Sequence, residues 1–174
     1  MRVQSLETAR LRLRMLQPDD LDALAELYAD REVMRFLSGP RTREQTQTLL
    51  SEMIKHWEDY GFCRWALIDR AGGQFIGRCG LNYLPGSPEI ELGYAIARAY
   101  WGRGLTTEAA RACLHWGFED VGLERIVAIA RPENGASLRV MEKLGMKYEK
   151  DAFFYNTDVK YYALSRDAFR LQKP

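Results

Sequence analysis

The stretch ARAYWGRGLTTEAA, Ala97 to Ala110, places two glycines just where a helix is about to begin. Glycine is a poor helix former, so its presence at this junction asks for a reason. The residues before it, EIELGYAIA from Glu89 to Ala97, have the composition of a strand. The residues after it carry a helical pattern from about Arg103 to Gly122. The first turn of a helix has amide groups without intrahelical partners and a partial positive charge. Gly102 and Gly104 remove the β-carbons that would hold an anion away, and they allow positive φ. Arg103 adds a cation, and Thr106 or Thr107 a hydroxyl. The pattern fits a phosphate cradle. It also fits a tight strand-to-helix turn with no ligand. It completes neither G-x-x-x-x-G-K-[ST] nor G-x-G-x-x-G, so neither a Walker loop nor a dinucleotide site is indicated.

Downstream, RIVAIAR (Arg125 to Arg131) is a short apolar run without alternation, which predicts a strand buried on both faces. Strand, helix and buried strand in succession make a βαβ unit with a parallel pair. Asn134 is placed to cap a further helix carrying Leu138, Met141 and Leu144 and ended by Gly145. The segments MKYEKDAFFYN and DVKYYALSRDAF read as two last strands. Upstream, FCRWALID and QFIGRCGLNYL read as a hairpin joined at Gly72-Gly73. ARLRLRM, Ala9 to Met15, alternates leucine and arginine as a strand with one wet face. Leu21, Leu24, Ala25 and Tyr28 form one helical stripe. Thr42 and Gln45 make a capping box for a second helix, stopped by Gly61. His56 on that helix reads as a packing residue. The expectation is one α/β (α+β) domain over 1–174, with a mixed, mostly antiparallel central sheet of about seven strands and helices on both faces.

The chain has 174 residues, 25 Lys plus Arg and 24 Asp plus Glu, so its charge gives no argument for nucleic acid or a membrane surface. No apolar run has the length of a signal peptide or a membrane span, and a cytoplasmic protein is expected. Cys63, Cys79 and Cys113 are scattered and read as reduced core thiols. His56 and His115 are the only histidines and lie far apart, which argues against a zinc site.

The strings IELGYAIARAYWGRGLTTEAA and RIVAIARPENGASLRVMEKLGM, about 20 residues apart, together resemble the GNAT superfamily of acyl-CoA N-acyltransferases. With LETARLRLRMLQPDDLDAL at the start, the branch resembled is the ribosomal-protein N-terminal acetyltransferase (RimJ/RimL) type. The resemblance runs from about Leu6 to Phe169 and implies a GNAT-like fold. It implies acetyl-CoA as acyl-donor cosubstrate and no metal. Gly102, Arg103, Gly104, Leu105 and Thr106 would cradle the CoA pyrophosphate. Tyr94, Ala95 and Ile96 would run beside the pantetheine arm, which Asn134 would also hold. Ser137 would sit near the sulfur, and Lys143 near the nucleotide end, unless it only complements its helix C-terminus. Many members place a tyrosine, as general acid, seven residues after the asparagine. Here that position is Met141, and Ser137 inherits the role.

Acyl transfer to an amine requires a base, because the amine enters mostly as ammonium. Glu91, in the strand leading to the loop, is the first candidate, and Glu89 on the same face is the second. Either also reads as a solvated strand residue. A backbone amide near Gly93 to Ala95 would serve the oxyanion. No cysteine has a His-and-acid neighbourhood, so direct attack in a ternary complex is expected over a covalent acyl-enzyme. The acceptor is expected to be a protein N-terminal α-amine or a small-molecule amine. Its groove is expected near residues 31–43, Tyr83 and 153–156, where Arg35, Arg41 and Arg43 hint at an acidic acceptor. The alternative is a catalytically silent acyl-CoA sensor or interaction module. Whether the chain is monomeric or a homodimer is open.

Overall fold

The computed structural model describes residues 5–172. Its strands are β1 (Ser5–Glu7), β2 (Leu11–Met15), β3 (Arg64–Asp69), β4 (Phe75–Tyr83), β5 (Ile90–Ile96), β6 (Arg125–Ala130), β7 (Lys147–Phe154) and β8 (Thr157–Ser165). Its α-helices are α1 (Leu21–Ala29), α2 (Arg31–Met34), α3 (Arg43–Tyr60), α4 (Leu105–Glu119), α5 (Gly135–Lys143) and α6 (Arg166–Leu171). The strands form one eight-stranded sheet in the order β1-β2-β3-β4-β5-β6-β8-β7. Every neighbouring pair is antiparallel except β5 and β6.

Alternation sets the N-terminal strands as the sequence predicts. Leu11 and Leu13 are buried, while Arg10, Arg12 and Arg14 pair with Glu108, Glu7 and Asp20. The capping box at Thr42 forms, and α3 ends at Gly61 in the left-handed region. α3 brings Trp57 against Trp65 of β3 and Trp116 of α4, with ring centroids 4.4 and 5.6 Å away. Gly117 lets α4 lie close on the sheet: a β-carbon there would come within 2.7 Å of Leu81 Cδ1. Asn134 caps α5 by accepting from the Ser137 amide at 3.2 Å.

Some boundaries differ from the sequence reading. A short strand, β1, precedes the expected first one and raises the strand count to eight. Asp30 accepts from the amides of Glu32 and Val33 and so starts α2 as a separate turn of helix. The last segment is not a strand to its end. Ser165 caps α6 by accepting from the Ala168 amide at 3.2 Å, and RDAF turns helical.

The parallel pair is the feature that builds the site. β5 and β6 share one register pair, Glu91 with Val127, whereas β4 and β5 share seven. Beyond Glu91 the two strands part. The sheet therefore opens into a fork, with Glu91 at its apex and the Gly-Arg-Gly loop at the end of its β5 arm.

Candidate functional site

The loop at the end of β5 is held from behind. Gly102 and Gly104 have φ of 72° and 76°, in the left-handed region that a β-carbon disfavours. Gly104 is the residue from which α4 starts. The helical ladder begins with the Glu108 amide donating to the Gly104 carbonyl at 3.0 Å, so the amides of Leu105, Thr106 and Thr107 lie ahead of it. Glu108 accepts from the Thr8 hydroxyl at 2.6 Å, the Arg10 amide at 2.9 Å and Arg10 Nε at 2.7 Å. Burial opposes the charge on Glu108, yet these donors outweigh it and hold the carboxyl below its ordinary range. Arg10 also donates to the Arg103 carbonyl at 2.8 Å. Trp101 Nε1 donates to the Ile96 carbonyl at 2.8 Å and ties the loop to the strand end. The Arg103 guanidinium lies over the Tyr100 ring, 5.2 Å from its centre.

Along the fork, Tyr94, Ala95 and Ile96 pair with β4 on one side through Cys79, Arg78 and Gly77. Their other side faces the opening. The Tyr94 hydroxyl spans to α5 and lies 2.8 Å from Ser137 Oγ. Burial pushes the Tyr94 phenol far above its ordinary range, so it stays protonated. Ser137 is buried beside it. Met141 is in the core at 1% exposure and supplies packing. Lys143 is exposed at the far end of α5, with its carbonyl accepting from Arg111 Nη2 at 2.9 Å. The structure thus brings Tyr94, Asn134 and Ser137 together. Lys143 stands apart from them at the other end of the helix.

Glu91 is buried at the apex. Its Oε2 accepts from the Tyr155 hydroxyl at 2.8 Å and from Asn82 Nδ2 at 3.4 Å. Tyr155 and Asn156 form the β7–β8 turn with φ of 50° and 58°. That pattern is the one a tight hairpin turn requires, and it is uncommon for a residue as bulky as tyrosine. The Tyr155 phenol is pushed up to about 12, first by burial and then by the Glu91 charge. Glu89 stands elsewhere, just ahead of β5. It pairs with Arg125 at 3.4 Å, and Arg125 pairs with Glu149 at 2.6 Å. The two glutamates that share a face in sequence therefore have different surroundings: one is buried at the fork, the other belongs to a surface ion network.

A cavity of about 280 Å³ lies between α3 and strands β3 and β4. Glu52, His56, Tyr60, Arg64, Asn82 and Tyr83 are among its lining residues, so it shares Asn82 with the surroundings of Glu91. His56, which the sequence marks only for packing, has Nδ1 2.6 Å from the Phe62 carbonyl. That contact has Nδ1 donating to the carbonyl, and Nε2 is buried and without a partner. Arg35, Arg41 and Arg43 do not line this cavity; they engage Glu32, Ser38 and Asp22. Asn82 and His56 are the contributors that sequence reasoning passes over as functional residues, and no local pattern signals them. Tyr155 lies within the 153–156 segment expected near the acceptor groove, though with no role given to it, and the structure brings its hydroxyl to Glu91.

All three cysteines are free and buried, and burial pushes the Cys63 and Cys113 thiols up. None is an activated nucleophile. Among the described residues, no His/Cys/Asp/Glu group is arranged to hold a metal ion, and no helix is long and apolar enough to cross a membrane.

Comparison with known proteins bears on the family and the fold. Residues 10–147 match the acetyltransferase (GNAT) domain family. The "uncharacterized protein YkkB" of Bacillus subtilis is 36% identical over 160 residues, covering 90% of this chain and 93% of its own. An acetyltransferase crystal structure from Agrobacterium tumefaciens superposes with a TM-score of 0.84 at 28% identity, covering 94% of this chain and 95% of its own. RimL, a ribosomal L7/L12 α-N-protein acetyltransferase, has a TM-score of 0.80 at 18% identity and covers 94% of each chain, a likeness of fold.

Proposed function

We propose, from the premise that the chain belongs to the GNAT acetyltransferase family, that it moves the acetyl group of acetyl-CoA to a primary amine by direct attack in a ternary complex. The acceptor is a protein N-terminal α-amine or a small-molecule amine. The observation that carries this reading is the fork. A strand with one open side runs from a buried carboxylate to a loop of free amides.

Acetyl-CoA supplies the activated acyl group, and the chain supplies places for its parts. The Gly102–Thr106 segment offers backbone amides and the cation of Arg103 to a pyrophosphate. The open side of Tyr94, Ala95 and Ile96 offers a strand edge to the amides of the pantetheine arm. Asn134 and Ser137 face that edge from α5. The hydroxyl pair of Tyr94 and Ser137 holds a proton where a thiolate would leave. Lys143 supplies a cation beyond it for the nucleotide end.

On the other side, Glu91 is the base. Its Oε2 already accepts from Tyr155 and Asn82, which fixes the carboxylate in place at the fork. Among the described residues no donor bonds its second oxygen, which can take the proton of an incoming ammonium, directly or through one water. Glu89 is a poorer base because Arg125 holds it in an ion pair away from the fork.

The test is release of free thiol from acetyl-CoA in the presence of an amine panel. Thiol release coupled to a new N-acetyl product, lost in Glu91→Gln, is the expected result. Binding of acetyl-CoA with no product from any amine would instead make the chain a sensor.

A further inference from the structure

Arg64 on β3 and Arg78 on β4 point to the same place. Gly93 of β5, on the same face as Glu91, has no β-carbon, and the two guanidinium groups close over it. Arg64 Nε and Nη2 stand 3.4 and 3.5 Å from where that carbon would be, and Arg78 Nη1 stands 3.5 Å from it. Arg78 is 7% exposed, and Arg64 Nε is buried with no hydrogen-bond partner. Arg78 Nε donates to the Tyr28 hydroxyl at 2.8 Å, a neutral partner. Among the described residues neither guanidinium has a carboxylate within 4.0 Å, whereas Arg10, Arg14, Arg98, Arg125 and Arg170 each hold one at 2.6–2.8 Å. Glu91 is the acidic group on this face. Its charge acts on Arg64, but it makes no ion pair with either arginine. Two cations therefore converge in a largely buried place that holds one anion. A buried guanidinium without a counter-charge is strongly unfavourable, so such an arrangement belongs where a ligand supplies the missing charge.

We infer that Arg64 and Arg78 form the carboxylate subsite of the acceptor, so that the amine acetylated by this chain is an amino acid with a free carboxylate. The inference rests on the acetyltransferase reading and names its substrate class. Glu91 and Gly93 are two residues apart on one face of a strand, roughly 6–7 Å. An amino acid bridges that span with its amine toward Glu91 and its carboxylate toward the arginines. The cavity that Arg64 also lines continues away from Gly93 along Leu49, Met53, His56, Tyr60 and Tyr83. It offers a largely apolar and aromatic wall to the side chain, with Glu52, Asn82 and the unpartnered His56 Nε2 as its polar groups. A developing oxyanion on the thioester would present the same negative charge, so the experiment must tell donor from acceptor.

The full chain is assayed at saturating acetyl-CoA with leucine, phenylalanine and tryptophan, each against its own amide. Binding of N-acetylphenylalanine and N-acetylphenylalaninamide is measured by calorimetry alongside. The expected result is a preference of about tenfold or more for the carboxylate form, in kcat/KM and in Kd, for at least one pair. Arg78→Met should bring the carboxylate-to-amide ratio of kcat/KM below about threefold, read within that one variant whatever its overall rate. Arg78→Lys, which keeps the charge, should keep most of the preference. The melting temperature of each variant reports whether it folds, and the wild-type comparison needs no variant at all. Equal or better turnover of the amides would overturn the inference, as would failure of both N-acetyl compounds to bind at millimolar concentration. A loss in Arg78→Met that is equal for carboxylate and amide would also overturn it and assign the charge to the donor's oxyanion. No product from any amine would overturn the acetyltransferase reading itself. Turnover of amides over carboxylates would leave that reading standing and remove only this one.

Discussion

The Gly-Arg-Gly loop and the pocket around Glu91 lie at two ends of one strand, yet they are built by opposite means. The loop is one contiguous run of chain. Its proposed ligand-facing groups are backbone amides, and its side chains serve mainly to hold it, through Arg10, Glu108 and Trp101. The pocket has no contiguous segment. Glu91 comes from β5, Asn82 from β4, Arg64 from β3, His56 from α3 and Tyr155 from the β7–β8 turn. Its proposed ligand-facing groups are side chains. A site of the first kind can accept the same cosubstrate under many sequences. One of the second kind changes its acceptor whenever one side chain changes.

The largest effect should come from separating the two halves chemically. Glu91→Gln keeps shape and hydrogen-bonding capacity but cannot take a proton. General-base assistance is typically worth 10²–10⁴-fold, so kcat should fall by about two orders of magnitude. Acetyl-CoA affinity, measured by calorimetry, should stay near wild type, because the loop is remote from the carboxylate. Part of the rate should return at high pH, where the amine deprotonates unaided. A matching fall in acetyl-CoA affinity would break the comparison, since it would mean the two halves are one site.

The reciprocal change is Gly104→Val. Its φ of 76° is costly for a β-branched residue, and an added side chain would stand over the loop amides. KM for acetyl-CoA should rise about tenfold or more, and the thermal stabilisation that acetyl-CoA gives the wild type should vanish. At saturation kcat should change much less. A variant stabilised by acetyl-CoA as well as wild type would remove the loop from the cosubstrate site.

This contrast also explains what the sequence could tell. The order of elements, the βαβ unit, the Asn134 cap and the loop were legible because each depends on neighbours within a few residues. Periodicity, capping and glycine placement are local rules. The extra strand β1 was missed because three residues are too few to show alternation. The apolar pattern runs on past Ser165 into RDAF as it would in a strand, and only the Ser165 cap stops it. Of the pocket, a role is legible at one residue, Glu91, which lies close to the loop in sequence; Tyr83 and 153–156 are legible only as a border of the acceptor groove. Tyr155 reaches it across 64 residues, and Arg64 meets Arg78 only because β3 and β4 pair. Register across a sheet decides such meetings, and no local pattern announces them. His56 looked bland for the same reason: the carbonyl that its Nδ1 bonds belongs to the loop after Gly61.

A smaller effect tests how the loop is held. Glu108 ties α4 to the β1–β2 hairpin through three donors. Glu108→Gln should cost about 1–2 kcal/mol at neutral pH, the lower end reflecting a half-exposed Arg10 whose charge is screened. In the fold, Glu108's pKa lies below its ordinary value. Its contribution is therefore fully present above the unfolded value, near 4.5, and is lost as pH falls through the lower folded value. Urea midpoints of the two proteins should differ at pH 7 and converge in acid. A difference that persists unchanged below the folded value would mean that shape, not charge, does the holding.

The smallest effect is the sharpest test of the pocket. Tyr155→Phe keeps the ring and removes one donor from Glu91 Oε2. Asn82 still donates, although at 3.4 Å, and water reaches a half-exposed ring position, so the loss should be modest: about fivefold in kcat/KM at pH 7, near 1 kcal/mol. Its dependence on Glu91 is more telling than its size. The Tyr155 hydroxyl donates to Glu91 Oε2, so in a Glu91→Gln background the same substitution should cost much less, and the two losses should not add. Fully additive losses would mean Tyr155 positions the acceptor without touching the base. Full activity in Tyr155→Phe would mean the β7–β8 turn is packing, and the pocket would shrink to the residues that β3, β4, β5 and α3 bring.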